Sequence, residues 1–175
     1  MAERQEETAD DAVLTRIGQS VMLHHAGDRE EARVRFLALW REIGADGDPL
    51  HRCTLAHYMA DTQDDPCDEL AWDLRALSAA EELTDERRAG SGGAPAAARA
   101  LYPSLHLNLA ADYVKLGRSE AARSHLRHAR GTAGGLADDS YGDGVRAAIH
   151  RLELRLGDGG PGAGGDPGGP PRQRS

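Results

Sequence analysis

HLNLAADYVKLGRSEAARSHLRHA, residues 106–129, is the stretch that decides the fold. Leu109, Ala110 and Tyr113 recur three and four residues apart, the spacing of one helix face. Leu105 extends that stripe backwards, and Pro103 stands near its start, where a missing N–H costs nothing. Gly117 ends the pattern as a glycine relieving the left-handed conformation does, and Ala122, Leu126 and Ala129 open a second stripe. Two short helices with a tight turn between them pack antiparallel. Small Ala110 and Ala122 let the helices approach closely, while Tyr113 and Leu126 fill the space between neighbours.

Similar stripes recur on both sides. Val13/Leu14, Ile17 and Val21 predict a helix over about residues 8–25, closed by Gly27. Ala32, Phe36, Leu39/Trp40 and Ile43 follow on a helix opening near Asp28. Further stripes run through Leu55, Tyr58/Met59 and Thr62, then through Leu70, Leu74 and Leu77. Val145, Ile149, Leu152 and Leu156 mark a last helix whose start is signalled by Asp139 or Ser140. The sum is seven helices and no strand. Residues 157–175, GDGGPGAGGDPGGPPRQRS, hold too little apolar surface to offset the entropy of ordering and read as a disordered tail. Residues 85–100, DERRAGSGGAPAAARA, read as a mobile loop, and residues 1–7 as a disordered N-terminus.

The 175 residues suit one domain. Hydrophobic residues make up 39% but aromatics only 4%, so the core must be built from Leu, Ala and Val, which suits helices better than strands. The net charge of −8 argues against nucleic acid, whose affinity rests on clustered Lys and Arg. No apolar run approaches the 18 or more residues of a membrane span. MAERQEETADD has no basic-then-apolar order of a signal peptide, and Cys53 and Cys67 are too few for a disulfide framework. The expected compartment is the cytoplasm. Lys115 is the only lysine, a bias that with abundant Ala and Gly points to a GC-rich bacterial genome.

Helix pairs this short invite a test for a fixed period. The tetratricopeptide pattern asks for W-x2-L-G-x2-Y, then A-x3-F, every 34 residues. His106 stands at the Trp site, and Leu109, Ala110, Tyr113, Ala122, Leu126 and Ala129 follow in place. The first pair repeats the second half of the pattern with Leu23, Gly27, Ala32, Phe36 and Leu39. The middle pair offers Leu55, Ala56 and Met59, then Leu70, Leu74 and Leu77. Ala32 to Leu70 spans 38 residues and Leu70 to Ala122 spans 52, and each excess over 34 falls in an expected loop. The chain therefore resembles a tetratricopeptide repeat protein, and in particular the short stand-alone members common in actinobacteria. The resemblance covers residues 8–156: repeats over about 8–44, 49–84 and 102–134, then a capping helix over about 140–156. It implies an all-α right-handed superhelical solenoid of three helix-turn-helix repeats, whose first helices line a concave groove for a peptide or protein segment. The cap covers the apolar face of the last repeat.

On that resemblance the groove face comprises Leu14, Gly18, Val21, His24 and His25, then Leu50, Cys53, Thr54, His57 and Asp61, then Asn108, Ala111, Asp112 and Lys115. Asn108 precedes the Leu-Ala pair, where peptide-binding members hold ligand backbone, and an amide both donates and accepts. Lys115 stands alone where carboxylate-gripping relatives use several basic groups. Cys53, His57 and Asp61 fall at i, i+4 and i+8 on one face, an alternative metal-dependent or hydrolytic site. The outer two stand roughly 12 Å apart along the axis, so one metal cannot take both. His24 and His25 also admit a pH-sensitive groove. Asp64 and Asp65 before Pro66 read equally as a helix start and as part of a specific acidic contact.

Enzyme motifs are absent from the sequence: there is no G-x-x-x-x-G-K-[ST], and Ser91 in G-S-G-G lacks a strand–turn–helix context. The expectation is a non-catalytic interaction module without cofactor or metal, taking a protein or peptide partner that carries Arg or Lys, and binding neither nucleic acid nor membrane. A structural subunit that self-associates into a homo-oligomer is the other alternative.

Overall fold

The computed structural model describes residues 2–89 and 96–158, with side chains over 12–84 and 100–157. Among the described residues the protein is all-helical: α1 (Ala2–His25), α2 (Arg29–Ile43), α3 (Pro49–Asp61), α4 (Pro66–Ala89), α5 (Ala96–Lys115), α6 (Ser119–Thr132) and α7 (Ser140–Asp158), with a 3-10 turn at Ala133–Gly135. None of these helices is long and apolar enough to cross a membrane.

The helix ends follow from local chemistry. Gly27 and Gly117 take positive φ of 96° and 70°. Asp28 N then donates to Leu23 O, and Arg118 N to Tyr113 O, closing the last turns of α1 and α5. Asp48 caps α3 by accepting from the backbone N–H of Leu50 and His51, with Pro49 at the first helical position. Asp139 accepts from Gly142 N at 2.8 Å and so opens α7. Asp65 likewise accepts from Cys67 N at 2.7 Å at the start of α4.

Three boundaries differ from the expected ones. The backbone of residues 2–7 is helical, where the sequence predicts a disordered N-terminus. Helix α4 runs to Ala89 and α5 starts at Ala96, so of the expected 85–100 loop only residues 90–95 lie outside the described residues, as does the expected tail beyond 158. Pro103, expected near a helix start, lies inside α5 and is fully buried. Apart from Asp85, the extensions are made of Ala, Glu, Gln and Arg, strong helix formers, and Ala96–Ala100 carries the helix past the single bond that Pro103 removes.

Packing is between neighbours in the chain. Helices α1–α2, α3–α4 and α5–α6 pair, and α2–α3, α4–α5 and α6–α7 join the pairs, while α1 also touches α3 and α5 touches α7. The core falls into three clusters, each drawn from three consecutive helices. Ile17, Ala32, Phe36, Leu39, Leu55 and Met59 join α1, α2 and α3. Cys53, Ala56, Ala76, Ala79, Ala80 and Leu105 join α3, α4 and α5. Ala110, Leu126, Ala129, Val145, Ile149 and Leu152 join α5, α6 and α7. Trp40 and Trp72 meet edge to face at 5.1 Å and pack against both the first and the second cluster.

The expected stripe on α4 needs correction. Leu70 is buried, but Leu74 is 41% exposed, and Asp73, Ala76, Ala79, Ala80 and Leu83 turn inward instead. Three alanines let α4 approach α3 and α5 more closely than leucines would. Ala76, Ala80 and Leu83 thereby repeat the spacing of Ala32, Phe36, Leu39 and of Ala122, Leu126, Ala129.

Candidate functional site

The expected groove residues do not share one fate. Cys53, assigned to the groove by its helical face, is 1% exposed and packs with Ala56 and Ala76 in the second core cluster. Burial, then the charge of Asp73, pushes its thiol up to about 12. A neutral thiol enclosed by core side chains is out of reach of substrate or ion. The alternative site on Cys53, His57 and Asp61 loses its sulfur for that reason, and among the described residues no group of three or more His, Cys, Asp or Glu is placed to hold a metal ion.

His57 and Asn108, predicted on separate repeats, come together. Asn108 Nδ2, an N–H donor, lies 3.2 Å from His57 Nδ1, linking α5 to α3. Asp73 Oδ1 of α4 stands 3.9 Å from the same ring nitrogen. Burial pulls the His57 pKa down, but Asp73 and Asp61 together outweigh it and raise the group. Asp61, at the exposed end of α3, also feels His24 of α1 and Asp73 and Glu69 of α4, so three helices share one charged neighbourhood.

Lys115 is not a free helix-end cation. Its Nζ lies 2.5 Å from Glu69 of α4 and 3.6 Å from Asp112. Asp112, beneath it, is 1% exposed, and Asp73 is 2% exposed. Burial first, then the charges of Asp73 and Glu69, push the Asp112 carboxyl up to about 8. His57, Asn108, Asp73, Asp112, Glu69 and Lys115 thus form a half-buried polar seam that fastens α3 and α4 to α5. Carboxylates at a seam between hydrophobic clusters are invisible to a search for apolar periodicity; Asp73 and Glu69 are the members that sequence reasoning missed.

His24 is half-buried, its ring 5.7 Å from that of the exposed His25, and its Nδ1 has no hydrogen-bond partner. Asp64 and Gln63 belong to neither a groove nor an open acidic edge. Arg29 of α2 binds Asp64 at 2.6 Å and the Gln63 carbonyl, and Arg33 adds a second ion pair to Asp64 at 3.5 Å. The α3–α4 turn is therefore clasped to α2.

Ala111 and Lys115 border an open recess of about 330 Å³ between α5 and α7, together with Leu107, Asn108, Val114, Ala148, Arg151, Leu152 and Arg155. Elsewhere on α5, His106 meets His125 and His128 of α6. His106 and His125 bring their Nδ1 atoms to 3.0 Å, and the His106 and His128 rings stack at 5.0 Å. Burial, then His125 and His128, push the His106 pKa down to about 4, so the His106 ring is neutral packing at physiological pH. A signal was present: His106 occupies a site where the repeat pattern wants an aromatic ring, and His125 and His128 lie one turn apart. In comparisons with protein-family models, with curated proteins and with solved structures, nothing matched this chain.

Proposed function

We propose that the chain is a tetratricopeptide-like solenoid and a non-catalytic interaction module, holding a protein or peptide segment along the face formed by α1, α3, α5 and α7. Three consecutive helix pairs and core clusters that each join only neighbouring helices support the solenoid, because a repeat array is stabilised by nearest-neighbour interfaces. The observation that carries the binding reading is the recess along α5 and α7, whose lining includes three residues expected in the groove, Asn108, Ala111 and Lys115. It is open, part apolar and part polar, as peptide sites are. Exposed Asp61 keeps a place for a partner's Arg or Lys at the α3 end.

The test is Ala111→Arg, which fills the recess while leaving every side chain of the polar seam unchanged. Helicity and melting temperature of this variant should equal those of the wild type. A partner captured by the wild type and lost by the variant places binding in the recess; equal capture by both removes the reading. Self-association is a second reading, favoured by Met22, 72% exposed, and by exposed Leu14 and Val34 on the first helix pair. A mass that stays monomeric across a hundredfold range of concentration eliminates it.

A further inference from the structure

The recess between α5 and α7 differs in charge from the molecule around it. Its floor is aliphatic, with Leu107, Ala111 and Val114 from α5 and Ala148 and Leu152 from α7. Every charged side chain lining it is basic: Lys115, Arg151 and Arg155. Lys115 already answers Glu69 and Asp112. Arg151 and Arg155 stand one turn apart on α7, both exposed, and neither has a carboxylate partner among the described residues. Arg16 pairs with Glu42, Arg52 with Glu82 and Arg130 with Glu153, while Arg41, Arg118 and Arg127 have no carboxylate partner among the described residues but do not line the recess. In a protein of net charge −8, an apolar trough whose charged edge is wholly basic, with two of its three cations unpaired among the described residues, stands out.

We propose that this recess docks an acidic amphipathic segment of a partner protein. The inference rests on the interaction reading above and deepens it by naming the partner's chemistry at this end of the groove. Apolar side chains of the segment lie on the Leu107–Ala111–Val114 floor, and its carboxylates meet Arg151 and Arg155. Guanidinium groups take carboxylates bidentately, so a pair one turn apart selects acidic residues at similar spacing. A basic segment meets like charge here and is turned away, whatever Asp61 attracts at the far end. The aliphatic floor favours a protein segment over a phosphate backbone, which has no apolar face to bury there.

The experiment selects a library of random twelve-residue peptides against the immobilised full chain. Selected peptides are then measured by fluorescence anisotropy on wild type, Ala111→Arg and the double variant Arg151→Glu, Arg155→Glu, all three matched first in helicity and melting. The expected pool alternates Asp or Glu with Leu, Ile, Val or Phe. Its best peptide weakens by about tenfold or more on the double variant, weakens with salt on the wild type, and is recovered on the double variant by exchanging its acids for lysine. A basic or uncharged pool that Ala111→Arg abolishes overturns the acidic partner and leaves the interaction reading standing. A pool insensitive to both variants, or no enrichment, overturns both. Tighter binding of a mixed-sequence single-stranded oligonucleotide than of any selected peptide reassigns the edge to nucleic acid. Dimerisation lost only in the double variant reassigns it to a second copy of this chain, and either result overturns the proposal.

Discussion

Asp73 on α4 and Asp112 on α5 are both buried against the same seam, and each keeps one carboxylate oxygen without a hydrogen-bond partner. Two such groups cannot both ionise cheaply, so the pair holds a proton at neutral pH. Unfolding would release that proton, because an exposed carboxyl titrates near the ordinary value of 3.8.

The sign of the pH dependence follows. Asp112 is raised to about 8, so between about pH 4 and pH 8 the folded state binds a proton that the unfolded state gives up. Stability is fullest below that window and falls as pH rises through it. His57 is also raised, chiefly by Asp73 and Asp61 against the opposing effect of burial, and its contribution is likewise lost on the alkaline side. Thermal unfolding should therefore move to lower temperature between pH 6 and pH 9. Asp112→Asn, which cannot ionise, should flatten that slope and melt above the wild type at pH 9, with about 2–4 °C for each kcal/mol at this chain length. Equal slopes for the two proteins would refute the shared proton.

His106 acts with the opposite sign. Its pKa is depressed to about 4, so its contribution is present above the ordinary value of 6.5 and lost as pH falls towards 4. His125, lowered by burial and then by His128, adds in the same direction. His106→Phe keeps a ring between Tyr102 and His128 and removes the titration. It should shrink the loss of melting temperature between pH 6.5 and pH 4; a loss as large as the wild type's would place the acid sensitivity elsewhere.

The register of α4 makes a third prediction. Ala76 is completely buried where α3, α4 and α5 converge, whereas Leu74 is largely outside. Ala76→Leu overpacks that contact and should cost about 1–3 kcal/mol in urea unfolding. Leu74→Ala should cost under about 0.5 kcal/mol. Reversed costs would restore the leucine stripe.

That contrast locates what the residues disclosed. The first and third pairs were legible because Ala32, Phe36 and Leu39, and Ala122, Leu126 and Ala129, carry both the period and the burial. Gly27 and Gly117 were legible because each ends a stripe and takes the positive φ its turn needs. Helix α4 was not, since its inward face spends one position on Asp73 and three on alanine, and an apolar search finds Leu74 first. In the site, His57, Asn108 and Lys115 were singled out by the resemblance to a repeat family. Their mutual contacts were not legible, because the distances depend on how α4 sits between α3 and α5. Tyr102 shows the same limit: its hydroxyl donates to Ala80 O at 2.9 Å and lies 2.7 Å from Thr84 Oγ1, an anchor between α4 and α5 that no periodicity encodes.

Lys115 separates an internal fastening from a free groove cation. Its ammonium opposes the upward push on Asp112 and neutralises Glu69. Lys115→Gln removes that charge while keeping a polar side chain of similar reach. At pH 5 Asp112 is already protonated, and only the half-exposed contact with Glu69 is lost, a small effect for an ion pair that water screens. At pH 9 the pair must ionise with no cation beside it, so the penalty grows. The melting temperature of Lys115→Gln should fall further below the wild type at pH 9 than at pH 5. A difference that stays constant across the two pH values would detach Lys115 from the carboxylates and return it to the groove.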